Sequence, residues 1–314
     1  MSLTSAKMPD YMRLLPSETL GRLGRLDFVA RGLVSGLVMG RHRSPYKGFS
    51  VEFAEHRQYV PGDDPRNLDW RIYGKVDRYY IKQYIEETNL RATILLDASG
   101  SMSYVGDQAS TIGEAPASKF TYGQHIAAVL TYMLIHQQDA VGLVTFDTKM
   151  RRYIPARGRP SQVRLILQEL HDTTAGEDTD LAGIFHDIAE RVPRRGLVIL
   201  ISDLFDNVDE IINALHHFRY RKHEVLLLHV MADEELSFPF EQFTNFRNLE
   251  DLSVQAQLDP KAIRAAYLER VNQFVRAIEL ECGRMEIDYV PMNTNVPYDV
   301  SLANYLASRR QRGK

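Results

Sequence analysis

The chain has 314 residues, of which 44% are hydrophobic and 25% are charged, a composition typical of a globular protein with a sizeable core. Its 38 basic and 41 acidic residues leave a net charge of −3, and this near balance argues against nucleic-acid binding. The single cysteine, Cys282, excludes an internal disulfide and a zinc site built from clustered cysteines. Because the start of the chain also lacks an apolar signal core, we expect a cytoplasmic protein.

The first part of the sequence predicts one helix and two strands. Residues 18–38 carry apolar side chains at a loosely helical spacing, with arginines between them. We expect this helix to pack on the protein's own body; the alternative is peripheral contact with a membrane face, since its apolar stretch is too short to span a bilayer. Residues 49–60 and 79–87 alternate between apolar and polar side chains, which predicts two strands. Pro61-Gly62 and Asp64-Pro65 predict turns between these strands.

From residue 91 onward the sequence alternates between apolar runs and amphipathic helices, which predicts a mostly parallel sheet with helices on both faces. We therefore predict a lead-in with a small β element over residues 1–90, docked on an α/β domain over residues 91–314. Residues 149–154 follow the preceding run too closely for a crossover helix, so we expect them to pair antiparallel at a sheet edge. The apolar runs are Ala92–Leu96, Ala140–Phe146, Leu197–Ile201, Val225–Val230 and Ile287–Val290, and the helices lie around Ile126–Leu134, Leu181–Ile188, Val208–Leu215 and Ile263–Ile278.

Polar side chains follow two of these predicted strands where functional loops of parallel sheets lie. Asp97, Ser99 and Ser101 come after the first run, Asp203 comes after the third, and Thr179 opens the helix that precedes the third run. Taken alone, Asp97 is explained equally well as a cap, and Ser99, Ser101 and Thr179 are better explained as loop or cap residues. Together, two carboxylates and three hydroxyls at one sheet edge can complete, with waters, the six-oxygen shell that Mg²⁺ or Mn²⁺ prefers. Their joint occurrence therefore predicts a metal site.

The spacing of these five residues, with the Asp-Ala-Ser-Gly-Ser-Met form of its first part, resembles the metal-ion-dependent adhesion site of von Willebrand factor type A domains. This resemblance implies a Rossmann-like fold and a divalent cation, Mg²⁺ first, with Mn²⁺ and Ca²⁺ as alternatives. It also implies one open coordination position, which an Asp or Glu of a partner protein would fill. Asp178 stands where many members of the family have glycine, so Asp178 and Asp180 are rivals of Thr179 in this loop.

Residues 47–70 resemble the hallmark segment of the bacterial and archaeal family called domain of unknown function 58. The resemblance then covers nearly the whole chain. It implies a partner or adaptor of a MoxR-type AAA+ ATPase in the assembly or maturation of other proteins. We expect the charged hallmark residues to form an ion-pair and turn network, with the tryptophan buried against the body; the alternative is a partner-binding surface. The hallmark residues are Arg57, Tyr59, Asp63, Asp64, Arg66, Asp69 and Trp70.

Motifs of common enzymes are missing from the sequence. It contains neither a Gly-x-Ser-x-Gly nucleophile elbow nor a phosphate-binding loop, so we assign no catalytic residue. We expect a non-enzymatic, metal-dependent protein-binding module. The alternatives are a metal-dependent phosphoester hydrolase, with Glu177 or Asp180 as its base, and a scaffold without metal. The loop 104–117 is either a lid that determines specificity or a tolerated insertion.

Overall fold

The computed structural model describes residues 10–16, 51–61, 65, 68–86, 90–176, 181–192, 195–247, 249 and 255–312. The predicted helix over residues 18–38 lies outside the described residues, as do Asp63, Asp64, Arg66 and Thr179. The described residues form two compact units. The smaller one, here called the hairpin unit, falls within Arg41–Asn89, and the larger one, here called the α/β unit, comprises the rest. In the ranges given above, no helix is long and apolar enough to cross a membrane.

The hairpin unit contains both strands predicted for the lead-in. Strands β1 (Val51–Gln58) and β2 (Tyr80–Glu86) pair antiparallel, with a shift of register between Phe53 and Glu55. Helix α1 (Trp70–Val76) lies between them in the sequence. Asp69 caps this helix, since its carboxylate accepts hydrogen bonds from the backbone N–H groups of the two residues after Trp70, at 2.9 and 3.3 Å.

The α/β unit alternates strands and helices along most of its length. Its elements are a 3₁₀ turn (Asp10–Leu14), β3 (Arg91–Asp97), a second 3₁₀ turn (Ser101–Ser103), β4 (Thr111–Ile112), β5 (Ala115–Pro116), α2 (Lys119–His136), β6 (Ala140–Phe146), β7 (Met150–Arg157), α3 (Pro160–Asp172), α4 (Leu181–Arg191), β8 (Leu197–Ser202), α5 (Val208–Tyr220), β9 (Glu224–Met231), α6 (Asp233–Ser237), β10 (Thr244–Arg247), β11 (Gln255–Leu258), α7 (Pro260–Arg284), β12 (Asp288–Asn293) and α8 (Tyr298–Arg312).

Six strands of this unit form one central sheet, in the order β12-β9-β8-β3-β6-β7. Neighbouring strands from β12 to β6 are parallel, and β7 returns antiparallel to β6 at the edge. The predicted mostly parallel sheet is confirmed, and so is the antiparallel edge position of residues 149–154. In the register, Asp97 lies beside Phe146 and Leu96 beside Ile201, so the carboxyl ends of β3, β6 and β8 share one edge as predicted.

Both faces of the sheet are covered, because the side chains of its inner strands alternate between two hydrophobic clusters. On β3, Ile94 and Leu96 point into one cluster and Leu95 into the other. The first cluster includes residues of α2, α3 and α8, and the second includes residues of α4, α5 and α7. Leu14 and Leu15, which we grouped with the lead-in, are buried in the first cluster of the α/β unit.

Candidate metal centre

The loop after β3 brings three oxygen-bearing side chains together. Asp97 ends the strand, and its Oδ1 accepts a hydrogen bond from the backbone N–H of Ser99 at 2.9 Å. The hydroxyls of Ser99 and Ser101 lie 3.0 Å apart, and all three side chains are buried. The Asp-x-Ser-x-Ser segment therefore folds into one compact group of oxygen atoms at the carboxyl edge of the sheet.

The end of β8 joins this group from the neighbouring strand. The Ser202 hydroxyl donates a hydrogen bond to Asp97 Oδ2 at 2.5 Å and accepts one from the backbone N–H of Leu204 at 2.9 Å. Asp203 follows directly and is also buried. The predicted placement of Asp97 and Asp203 at one sheet edge is thus confirmed, and Ser202, which we did not predict as a site residue, links the two loops.

A neutral histidine fixes the backbone at Asp203. Burial is the main cause that lowers the pKa of His229 to about 4. Its Nε2 lies 3.0 Å from the carbonyl oxygen of Asp203, and its Nδ1 lies 2.8 Å from the Tyr289 hydroxyl. Because the carbonyl can only accept, Nε2 carries the proton and Nδ1 accepts from the tyrosine. His229 therefore positions the loop without adding charge to it.

The negative charge at this edge is incompletely compensated. Burial and, next, the nearby charge of Asp203 raise the pKa of Asp97 to about 7, although the hydrogen bonds from Ser202 and Ser99 act in the opposite direction. Two buried carboxylates near each other favour a bound cation because the cation offsets their repulsion.

One cation is already supplied by the chain itself. Lys119, the first residue of α2, extends its ammonium group to 2.6 Å from Asp203 Oδ2 and 2.7 Å from Glu235 Oε1. Lys119 and Glu235 were missed by the sequence analysis. The available signal is that Lys119 is the only Lys, Arg, Asp or Glu in an 18-residue helix, placed at the end that faces the site loops.

The donor chemistry of this edge fits a small divalent cation. Asp97, Ser99, Ser101 and Asp203 offer only oxygen atoms, the ligands of Mg²⁺ and Mn²⁺. In the part of the chain that the structure describes, no group of three or more His, Cys, Asp or Glu side chains is arranged to hold a metal. The fit therefore depends on serine hydroxyls beside the carboxylates.

The loop 104–117 is attached to the α/β unit at several points. The backbone N–H of Gln108 donates to Glu234 at 3.0 Å, and the backbone N–H of Ser110 donates to the carbonyl of Thr294 at 2.7 Å. Within the loop, β4 and β5 pair as a very short hairpin. These contacts give the loop a defined conformation. Its function as a lid stays a prediction.

The described hallmark residues lie in the hairpin unit, where Trp70 contradicts our expectation. Its side chain is 64% exposed, so its predicted burial is wrong. Its ring meets the Tyr73 ring edge-on, with 6.2 Å between the ring centroids. The Tyr73 ring stacks on the Tyr79 ring, with 4.6 Å between their centroids. Tyr59 also meets Tyr79 edge-on at 6.2 Å. The two hallmark aromatics, Tyr59 and Trp70, are therefore connected through Tyr73 and Tyr79, with Trp70 at the exposed end of the row.

The described charged hallmark residues serve local structure. Asp69 caps α1, and its Oδ2 lies 3.0 Å from His56 Nε2. Arg57 donates from Nη1 to the carbonyl of Gln58 at 3.4 Å. Of the predicted ion-pair and turn network, the structure shows the local hydrogen bonds of Asp69. The ion pairs expected for Asp63, Asp64 and Arg66 stay a prediction, because these residues lie outside the described part of the chain.

The sheet order, and the Asp97 and Asp203 loops at the carboxyl ends of adjacent parallel strands, define a von Willebrand factor type A-like α/β domain. In the sequence, the hairpin unit lies between the two segments that make up the α/β unit, Met1–Gly40 and Leu90–Lys314. The chain belongs to the family described as protein of unknown function DUF58, whose family model matches residues 55–275. The family predicted from the hallmark segment is thus confirmed.

The chain is similar to a curated mycobacterial protein and to two solved structures. The uncharacterized protein Rv1480 of Mycobacterium tuberculosis is 24% identical over 299 residues, covering 92% of this chain and 89% of that protein. The crystal structure of the conserved hypothetical protein BatB from Bacteroides thetaiotaomicron is 14% identical, with a TM-score of 0.41 over 71% of this chain and 100% of the chain in that crystal structure. The SpRpn10 VWA domain is 11% identical, with a TM-score of 0.38 over 68% of this chain and 94% of that domain.

Proposed function

We propose that this protein is a non-enzymatic, metal-dependent protein-binding module that acts in the cytoplasm. Asp97, Ser99, Ser101 and Asp203 would hold a divalent cation, Mg²⁺ first, and Thr179 would add a further hydroxyl. A bound divalent cation would supply positive charge and one open coordination position for a carboxylate of the partner. The observation that carries the proposal is the buried group of Asp97, Ser99 and Ser101 beside Asp203 at one sheet edge.

The residues of this chain would hold the oxygen ligands in place. Ser202 orients the Asp97 carboxylate through its hydroxyl, and His229 holds the carbonyl of Asp203. These supports come from the ends of neighbouring strands, so the ligand positions are determined by the sheet rather than by the loops alone.

A protein surface suits the surroundings of this edge better than a small molecule does. Phe205, two residues after Asp203, is 63% exposed. Val105, four residues after Ser101, and Leu236, which follows Glu235, are exposed as well. Exposed apolar side chains close in sequence to the residues of a charged site favour a protein partner that pairs an acidic residue with apolar contacts. The first candidate is a MoxR-type AAA+ ATPase, as the family resemblance implies, followed by a client protein with an accessible Asp or Glu.

The proposal is tested by measuring cation binding and partner capture in parallel. Isothermal titration with Mg²⁺ should give a one-to-one binding curve for the wild type and none for Asp97→Ala. Asp107→Ala is the matched control, because it removes an exposed carboxylate from the following loop and should bind Mg²⁺ as the wild type does. A purified MoxR-type ATPase from the same organism should be captured in Mg²⁺ and released in chelator.

Two results would contradict the proposal. Equal capture of the ATPase and of acidic client proteins by wild type and Asp97→Ala, in Mg²⁺ and in chelator, would show that binding does not use this edge. Turnover of phosphoesters that requires Mg²⁺ and Asp97 would replace the binding module by a hydrolase.

A further inference from the structure

Lys119 is a charged side chain that folding has enclosed within the candidate metal centre. The residue is 1% exposed, and its ammonium group lies 2.6 Å from Asp203 Oδ2 and 2.7 Å from Glu235 Oε1. Enclosing an ammonium group is strongly unfavourable unless carboxylates pair with it. Lys119 is therefore an integral part of the site.

The position of Lys119 has no explanation in the stability of its own helix. It is the first residue of α2, where the positive end of the helix dipole disfavours a cation. The two carboxylates within hydrogen-bond distance of its ammonium group stabilise the charged form of the side chain. Glu235 is itself held in place, because its Oε2 accepts a hydrogen bond from the backbone N–H of Ala232 at 2.7 Å.

We propose that Lys119 is a tethered counter-cation that sets how strongly the site binds its divalent cation and its acidic partner. This inference rests on the proposed function. The ammonium group already occupies one oxygen of Asp203, and its charge repels an incoming cation. Lys119 therefore keeps the affinity for the free cation low.

The same charge has the opposite effect on an acidic partner. The carboxylates of Asp97, Asp203 and Glu235, together with the ammonium of Lys119, carry two net negative charges when all are ionised. One divalent cation neutralises this set. Without the lysine, the loaded site would retain one negative charge and would repel the partner's carboxylate. Lys119 thus weakens the binding of the free cation and strengthens the binding of the partner's carboxylate to the loaded site.

The experiment compares two substitutions that change the charge of the site in opposite directions. Isothermal titration with Mg²⁺ alone is performed on the wild type, Lys119→Met and Glu235→Gln. Lys119→Met removes a positive charge and should bind Mg²⁺ at least about tenfold more tightly than the wild type. Glu235→Gln removes a negative charge while keeping an acceptor for Ala232, and should bind at least several-fold more weakly. General damage to the fold would weaken binding in both variants.

The effect of Lys119 on an acidic partner is tested by repeating the titrations with acetate as the carboxylate probe, at constant ionic strength. Acetate should increase the Mg²⁺ affinity of the wild type by a larger factor than that of Lys119→Met. An equal or larger increase in Lys119→Met would overturn this effect of Lys119 on the partner.

Asp97→Ala, alone and combined with Lys119→Met, separates failure of this inference from failure of the proposed function. Asp97-dependent Mg²⁺ binding with equal affinity in wild type and Lys119→Met would overturn the role of Lys119 and leave the metal-dependent module standing. Binding that is tighter in Lys119→Met than in the wild type, and that disappears on adding Asp97→Ala, would support the inference. Absence of binding in every variant would overturn both. If Lys119→Met does not fold, Glu235→Gln alone decides the test. Mg²⁺ binding by Glu235→Gln that is as tight as in the wild type, or tighter, overturns the inference.

Discussion

Replacing His125 by Gln should make the α/β unit less sensitive to acid. His125 lies on α2 and is 5% exposed. Its ring packs against the Tyr298 ring, with 5.3 Å between the ring centroids. Its Nδ1 has no hydrogen-bond partner among the described residues, and its ring also interacts with the backbone of Leu14. Burial lowers the pKa of His125 to about 4, so the folded protein holds this side chain neutral.

The expected magnitude follows from the difference between the folded and unfolded pKa values of this side chain. The unfolded chain takes up the proton near pH 6.5, and the folded protein only near pH 4. The unfolded state therefore binds more protons between these values, and the stability that neutral His125 provides, complete above pH 6.5, is lost as the pH falls. Between about pH 7.5 and about pH 5 the loss is about 2 kcal/mol.

The measurement is urea unfolding, followed by circular dichroism, at both pH values. His125→Gln keeps a side-chain N–H group of similar reach but cannot take up a proton, so its free energy of unfolding should fall by about 2 kcal/mol less than that of the wild type. His171→Gln is the matched control, because His171 is exposed at the end of α3 and should leave the acid sensitivity unchanged. The same loss of stability in wild type and His125→Gln would refute the reasoning.

Two further predictions concern stability. Trp70→Ala should change the free energy of unfolding of the hairpin unit by less than about 1 kcal/mol, since the side chain is 64% exposed. The fluorescence of the wild type should be that of a solvated tryptophan. A blue-shifted emission would contradict this exposure. Gly142→Ala should lower the free energy of unfolding, measured with urea, by about 1–3 kcal/mol, because the added Cβ would lie 2.6 Å from the carbonyl oxygen of Ile154. Gly74→Ala is the control, since its added Cβ meets nothing within 4 Å. It should leave the free energy of unfolding unchanged or raise it by up to about 1 kcal/mol.

The sheet and the two site loops were predictable because they depend on local patterns. Apolar runs of strand length separated by amphipathic helices specify a parallel sheet, and parallel strands bring their carboxyl ends to one edge. That rule alone places Asp97 near Asp203. Helix α3 was not predicted, although Pro160 at its start and the spacing of Ile166, Leu167 and Leu170 are signals of a helix.

The charge pairing within the site was not predictable in the same way. Lys119 is 84 residues from Asp203 and 116 residues from Glu235 in sequence, and no local pattern specifies such contacts. Charged side chains are normally exposed, so the burial of Lys119 becomes evident only when three loops are placed together. Trp70 shows the converse error, since we inferred its burial from residue type, whereas the Asp69 cap places it at the exposed start of a helix.

The two edge strands of the central sheet limit how this protein can assemble with others. Both contain a proline, Pro155 in β7 and Pro291 in β12, which has no N–H group to donate to an added strand. Strand β7 also carries Arg151 and Arg152, and charged side chains discourage pairing between sheet edges. A partner therefore gains little by extending the sheet with a strand of its own, and self-association into continuous sheets is disfavoured. Recognition through the loops at the carboxyl edge does not require the sheet to be extended.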